Sequence, residues 1–126
     1  MLIFGSKYIE SSDFIKVANK QDIEQTTPKD ILLLSDFTPP YNLAKYCQKN
    51  ELAFAVEAKN ILDAIYANSF DASFVIADFK LAKELQTIAN EYLWDMKVLA
   101  KVTKESDLEI VAKAFIDGAI FFNFKF

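Results

Sequence analysis

From residue 30 onward, short apolar runs alternate with segments of helical period. Ile31–Leu34, Leu52–Val56, Ser73–Ala77, Met96–Val102 and Ala119–Phe122 are continuous apolar or β-branched stretches. That is the pattern of strands covered on both faces of a parallel sheet. Between them, Leu81, Leu85, Ile88, Ala89 and Tyr92 recur at helical spacing and predict a helix over residues 79 to 94. Leu108, Val111, Ala112 and Phe115 repeat the pattern, with Ser106 and Glu109 spaced as a capping box and Gly118 placed as a left-handed stop. Shorter helices are predicted over residues 40 to 49, after Thr38-Pro39-Pro40, and over 60 to 69, with Asn60 as N-cap. Strand then helix, repeated, implies right-handed crossovers and an α/β fold with a parallel sheet.

The first 29 residues read differently. Leu2–Phe4 and Phe14–Val17 have the composition of short strands, and Gln21–Thr26 can form a helical turn before Pro28. No linker composition sets this segment apart, so residues 1–126 are expected to form one domain, with 1–29 as an N-terminal β extension packed on the βα repeats of 30–126.

Composition narrows the function. A hydrophobic content of 52% with twelve Phe is that of a chain with a real core. Fourteen Lys plus Arg against eighteen Asp plus Glu give a net charge of -4, with no basic block, which argues against a nucleic-acid partner. There is no His, hence no imidazole base, no Ser-His or Cys-His nucleophile pair and no usual zinc constellation. Gly5 and Gly118 are the only glycines, so neither a dinucleotide-binding turn nor a Walker phosphate loop can be written. The lone Cys47 fits a reducing compartment, and no apolar run is long enough to span a membrane, so the expected location is cytoplasmic.

Four polar residues stand just beyond four of the apolar runs: Asp36, Asp78, Thr103 and Lys125. In an open α/β sheet the strand carboxyl ends form the ligand-binding edge, where two acids, a hydroxyl and an ammonium suit a phosphate-and-metal site. The stretches Ile31-Leu-Leu-Leu-Ser-Asp36, Phe74-Val-Ile-Ala-Asp78, Val98-Leu-Ala-Lys-Val-Thr103 and Gly118-Ala-Ile-Phe-Phe-Asn-Phe-Lys125 resemble, in order and spacing, the receiver domain of bacterial response regulators. The resemblance covers residues 30 to 126. It implies a flavodoxin-like, receiver-like three-layer sandwich with a five-stranded parallel sheet in the order 2-1-3-4-5 counted from Ile31, helices on both faces. It further implies Asp78 as the phosphoryl acceptor, Mg²⁺ held by Asp36 and Asp78, Thr103 and Lys125 on the transferred oxygens, and Phe122 as a switching aromatic.

The chain also departs from that pattern. One acid, Asp36, follows the first strand where receivers have two, the loop after Asp78 is short, Lys104 replaces a small residue, and no fifth helix follows Lys125. The functional expectation is therefore a receiver-like or pseudo-receiver signalling and interaction module, ahead of an enzyme, with a protein partner. Each residue also has a local role open to it. Asp78 and Thr103 can cap the helices they precede, Asp36 can serve the turn before the prolines, and Lys125 can be a solvated terminal lysine.

An alternative of another class is a small α/β enzyme resembling part of a phosphate-binding βα barrel, with Lys101 as an amine nucleophile. Set against it, five βα units cannot close an eight-stranded barrel, and Lys101 can simply pack its stem on the sheet and direct its ammonium to water. Finally, Ile120, Phe122, Phe124 and Phe126 alternate onto one face of the last strand. That apolar face calls for a cover: the N-terminal segment, adding its strands beside the last one, or a homodimer.

Overall fold

The computed structural model describes residues 1–121. In chain order the elements are β1 (Leu2–Phe4), β2 (Phe14–Val17), α1 (Lys20–Glu24), β3 (Ile31–Leu34), α2 (Asn42–Lys49), β4 (Phe54–Glu57), α3 (Ile61–Ser69), β5 (Phe74–Ala77), α4 (Phe79–Tyr92), β6 (Lys97–Val102), α5 (Asp107–Lys113) and β7 (Gly118–Phe121). Phe122, Phe124, Lys125 and Phe126, named above, lie outside the described residues.

Local chemistry explains the helix starts. Asn19 and Asn60 sit in extended backbone at the N-caps of α1 and α3, and their side chains accept the Asp22 and Asp63 N–H groups at 2.8 and 2.9 Å. Asp22 and Asp63 reach back to the Ala18 and Lys59 N–H groups at 2.8 and 3.0 Å, so each turn satisfies two backbone donors. The box expected at α5 takes another form. Ser106 makes no capping bond there; the Asp107 carboxylate instead accepts the Thr103 and Lys104 N–H groups at 3.1 and 3.2 Å.

Helix ends are handled without glycine. The left-handed positions closing α2, α3, α4 and α5 fall on Glu51, Asp71, Leu93 and Phe115, with φ between 54° and 65°. Phe115, not Gly118, is thus the left-handed residue after α5. Gly118 opens β7, where its missing side chain has a packing role: a Cβ there would lie 2.5 Å from the Leu2 carbonyl oxygen and 2.9 Å from Leu99 Cδ2. The close approach of β1 to β7 depends on that hydrogen.

The α/β class and the parallel sheet are as expected, but strand number and order are not. Among the described residues, seven strands form one sheet, all pairs parallel, in the order β1-β7-β6-β5-β4-β3-β2. The five strands from Ile31 onward therefore lie in chain order, with β4 between β3 and β5, instead of 2-1-3-4-5. The N-terminal strands form the two edges. β1 adds beside β7 in the register Leu2↔Gly118 to Phe4↔Ile120, whereas β2 adds beside β3 at the far edge.

The physical reason is visible in the core. When every βα crossover steps to the next position in one direction, all helices fall on the same side of the sheet. Buried residues of all five helices, among them Ile23, Cys47, Ala64, Leu85 and Val111, join one cluster with Val17, Leu32, Val56, Val75 and Val98. The expected helices on both faces are thereby corrected to one helical layer. The opposite face carries Phe4, Phe14, Ile31, Leu33, Ala55, Ile76, Leu99 and Ile120, a second cluster built from strand residues alone. A sheet face with no helix over it escapes water by curling onto itself. The Phe4 and Phe14 rings, from the two edge strands, meet edge to face at 5.0 Å, and both contact Phe74 of the central strand β5. Phe14 is fully buried there.

Candidate functional site

Strand alternation decides which side chains look into the curl. Those on the parity of Phe14, Ala55, Ile76 and Leu99 point inward. Continued to the carboxyl ends, the same parity reaches Lys16 on β2, Glu57 on β4 and Lys101 on β6. Three charged residues thus crown a concave face that is otherwise apolar. Lys101 stands level with Ile120 of β7, and Lys16 with Leu33 of β3.

The Lys101 ammonium donates to the Glu57 carboxylate, an ion pair between residues 44 apart in sequence on strands separated by β5. Their side chains keep 22% and 36% of their accessible surface, so the pair is partly withdrawn from water yet open to a ligand. Glu57 also lines a cleft of about 530 Å³ over the carboxyl ends of β2, β3 and β4, together with Lys16, Ser35, Asp36, Lys59 and Asp63. The size suits a small metabolite. At the end of a parallel sheet's strands, side chains arrive from several strands onto a rigid frame, which suits binding and catalysis.

Asp36, Asp78 and Thr103 reach the same edge of the sheet and each is engaged in its own turn. Asp36 lines the cleft, and its Oδ1 accepts the Thr38 hydroxyl at 2.8 Å. Asp78 is the N-cap of α4, accepting the Leu81 N–H at 2.9 Å. Thr103 belongs to the turn that Asp107 organises, its hydroxyl 3.4 Å from the Asp107 carboxylate. Because β4 separates β3 from β5, Asp36 and Asp78 stand about two strand spacings, roughly 10 Å, apart along the sheet. The two carboxylates are held by different turns, Asp36 by the Thr38 hydroxyl and Asp78 by the Leu81 N–H. Among the described residues, no group of three or more His, Cys, Asp or Glu side chains is placed to hold a metal ion. Lys125 is outside the described residues.

Glu57 and Lys16 escaped the sequence reading, though each left a trace. Phe54-Ala-Val-Glu57 ends in an acid just as the runs before Asp36 and Asp78 do, and Lys16 interrupts the apolar stretch Phe14-Ile-Lys-Val17 on the Phe14 face. Cys47 packs in the helical layer, where burial pushes its thiol up to about 11, so it stays protonated and inert. Among the described residues, no helix is long and apolar enough to cross a membrane. No protein-family model matches this chain, and no curated protein sequence matches it significantly.

Proposed function

We propose that this chain is a small α/β enzyme that acts on a carbonyl compound at the mouth of its curled sheet, with Lys101 as amine nucleophile and Glu57 as its proton-transfer partner. The observation carrying this reading is the Lys101–Glu57 pair itself: two inward-facing charges, from strands that are not neighbours, meeting beside a cleft. A lysine placed for packing alone has no need of a carboxylate brought from two strands away. The chemistry follows from the pairing. Glu57 takes a proton from the Lys101 ammonium, freeing the nitrogen lone pair to add to the carbonyl carbon. The carbonyl oxygen gains the displaced electron pair and a proton, and a second proton from Glu57 lets it leave as water. The net change is amine plus carbonyl to imine plus water, and the protonated imine then draws electrons from an adjacent bond.

Incubation with small aldehydes and ketones followed by borohydride reduction should give one adduct by intact mass, mapped to Lys101 by peptide sequencing. Lys101→Met should abolish it, and Glu57→Gln should slow its formation about 100-fold, the usual scale of a general acid–base group. Adducts spread evenly over the lysines, unchanged by Lys101→Met, would refute the reading.

A second reading keeps a receiver-like, flavodoxin-like signalling module with Asp78 as phosphoryl acceptor and Mg²⁺ as its cofactor. What favours it is that Asp36, Asp78 and Thr103 are all exposed at one edge of the sheet, while α3 turns Leu62, Ile65 and Tyr66 to solvent as a face for a protein partner, in the cytoplasm. Treatment with Mg²⁺ and a small phosphodonor separates the two. An added phosphoryl group abolished by Asp78→Asn supports the module, and an unchanged mass supports the enzyme.

A further inference from the structure

Two helix ends break a local rule. The left-handed positions after α2 and α3 fall on polar residues, Glu51 and Asp71, and the Asp71 carboxylate accepts the Gln48 amide at 2.8 Å. After α4 and α5 they fall on Leu93 and Phe115. A glycine would adopt that backbone without steric cost. Here a large apolar side chain takes it and finds little cover in return: Leu93 and Phe115 are 84% and 83% exposed, more than any other large apolar residue among those described. Backbone strain combined with an apolar side chain left in water marks a residue retained for something outside the chain.

The two positions belong to one surface. Asp117, two residues beyond Phe115, ties the exit of α5 to its neighbours. Its N–H donates to Gln86 Oε1 of α4 at 2.8 Å, its carboxylate accepts the Val98 N–H of β6 at 2.9 Å, and its carbonyl accepts the Leu2 N–H of β1 at 2.9 Å. Leu93 lines the same cleft as Asp117 and follows Tyr92, the last residue of α4, which is 75% exposed. Met1 and Leu2, both exposed, arrive with β1. These five side chains therefore gather around the starts of β1, β6 and β7, at the opposite end of the strands from Lys101 and Glu57.

Scaled by their exposed fractions, the five present roughly 600 Å² of apolar surface, taking ~150–250 Å² for a large side chain. That reaches the top of the range for the largest patch on a monomer, and it is most of the roughly 800 Å² that each side of a stable interface buries. The charges around the patch are of both signs, Lys97 and Lys113 with Glu91, Asp95 and Asp117. A nucleic acid or a strongly charged protein would meet repulsion there as well as attraction. A second copy meets a surface of the same mixed kind, and a two-fold axis sets each residue against a different one of the copy, so unlike charges face each other. We infer that this surface is a homodimer interface, with a second copy of the chain as its occupant and Leu93 and Phe115 as its anchors. Such a dimer joins the amino ends of the two sheets and leaves both mouths facing solvent.

Sedimentation velocity on the full chain across the micromolar range tests it. The native protein should pass from 14.3 kDa to twice that mass as its concentration rises. Leu93→Gly and Phe115→Gly should each raise the dissociation constant at least about tenfold, and the double variant should stay monomeric throughout. Because glycine suits the left-handed backbone, the double variant should unfold in urea at a midpoint no lower than that of the native protein diluted to its monomeric form. Leu62→Ser with Ile65→Ser, on the exposed face of α3, should leave the dimer intact. A native chain that stays monomeric overturns the inference, and one that then pellets with phospholipid vesicles gives the patch a lipid surface as its occupant instead. A dimer that survives the double glycine variant, or is lost in the α3 variant, also overturns it. Should the double variant fail to fold, hydrogen exchange on the native protein decides: amides of residues 91–97 and 113–117 that exchange more slowly in the concentrated sample sustain the interface, and equal rates at both concentrations remove it.

Discussion

The concave sheet face carries two groups of opposite chemistry, three rings from β1, β2 and β5 and three charges from β2, β4 and β6. Phe4, at the end of β1, and Phe14 and Phe74, at the starts of β2 and β5, pack ring against ring within 5.7 Å and shut out water. The inward positions two residues beyond Phe14 on β2, Ala55 on β4 and Leu99 on β6 hold Lys16, Glu57 and Lys101. What differs is what each group is for. An aromatic plug removes apolar surface from water and ties the two sheet edges together. A partly exposed ion pair contributes little to stability, because solvent screens it and desolvation offsets its attraction. Charges kept at such positions point to a role in binding or chemistry.

The comparison is broken most severely by attacking the plug. Phe14→Ala should lower stability by about 3–5 kcal/mol, the cost of emptying a fully buried aromatic site, read as a shift in the urea unfolding midpoint. A loss under about 1 kcal/mol would mean that the edges are held together by something other than these rings. The charged group should respond far less. Replacing both partners at once, Lys101→Met with Glu57→Leu, should change stability by no more than about 1 kcal/mol in either direction, since both charges of the pair are removed together. A cost approaching that of Phe14→Ala would make the ion pair structural and remove the reason for assigning it chemistry. A single Lys101→Met or Glu57→Gln is the poorer stability probe, because it strands one half of the pair.

The smallest effect concerns the turn beside the mouth. The Thr103 N–H, then the Lys104 N–H, hold the Asp107 carboxyl below its ordinary value of 3.8. A carboxyl whose acidity is raised by folding stabilises the native state above its unfolded value and loses that contribution as the pH falls through its folded value. Asp107→Asn should therefore show a slightly lower urea midpoint than the native protein at pH 7, and the difference should close as the pH drops below 3.8. An offset that persists unchanged at pH 2 would show that the carboxylate's charge is not what Asp107 contributes to the turn.

The elements themselves were legible because they rest on neighbours in sequence. The runs Leu2–Phe4, Phe14–Val17 and Ile31–Leu34 are strands over the stated residues, and Asn60 caps α3 as its position before the apolar period implies. The capping of α5 was misread because Asp107, one residue beyond Ser106, reaches two backbone donors that Ser106 does not. Likewise, a left-handed stop was sought at a glycine, whereas this glycine-poor chain accepts the strain at Phe115. Asp36, Asp78 and Thr103 were rightly placed at strand ends, since an apolar run that stops at a polar residue meets water there.

By itself the sequence determined the α/β class, the parallel strands, most element boundaries and the apolar character of both sheet faces, all of which follow from period and composition. Tertiary structure alone decided the strand order. A strand covered on both faces shows no alternation, so nothing local records whether its second cover is a helix layer or the far side of its own curled sheet. That choice separated Asp36 from Asp78 by a whole strand. It also brought Lys101 across β5 to Glu57, a pairing of residues 44 apart that only the strand order sets side by side.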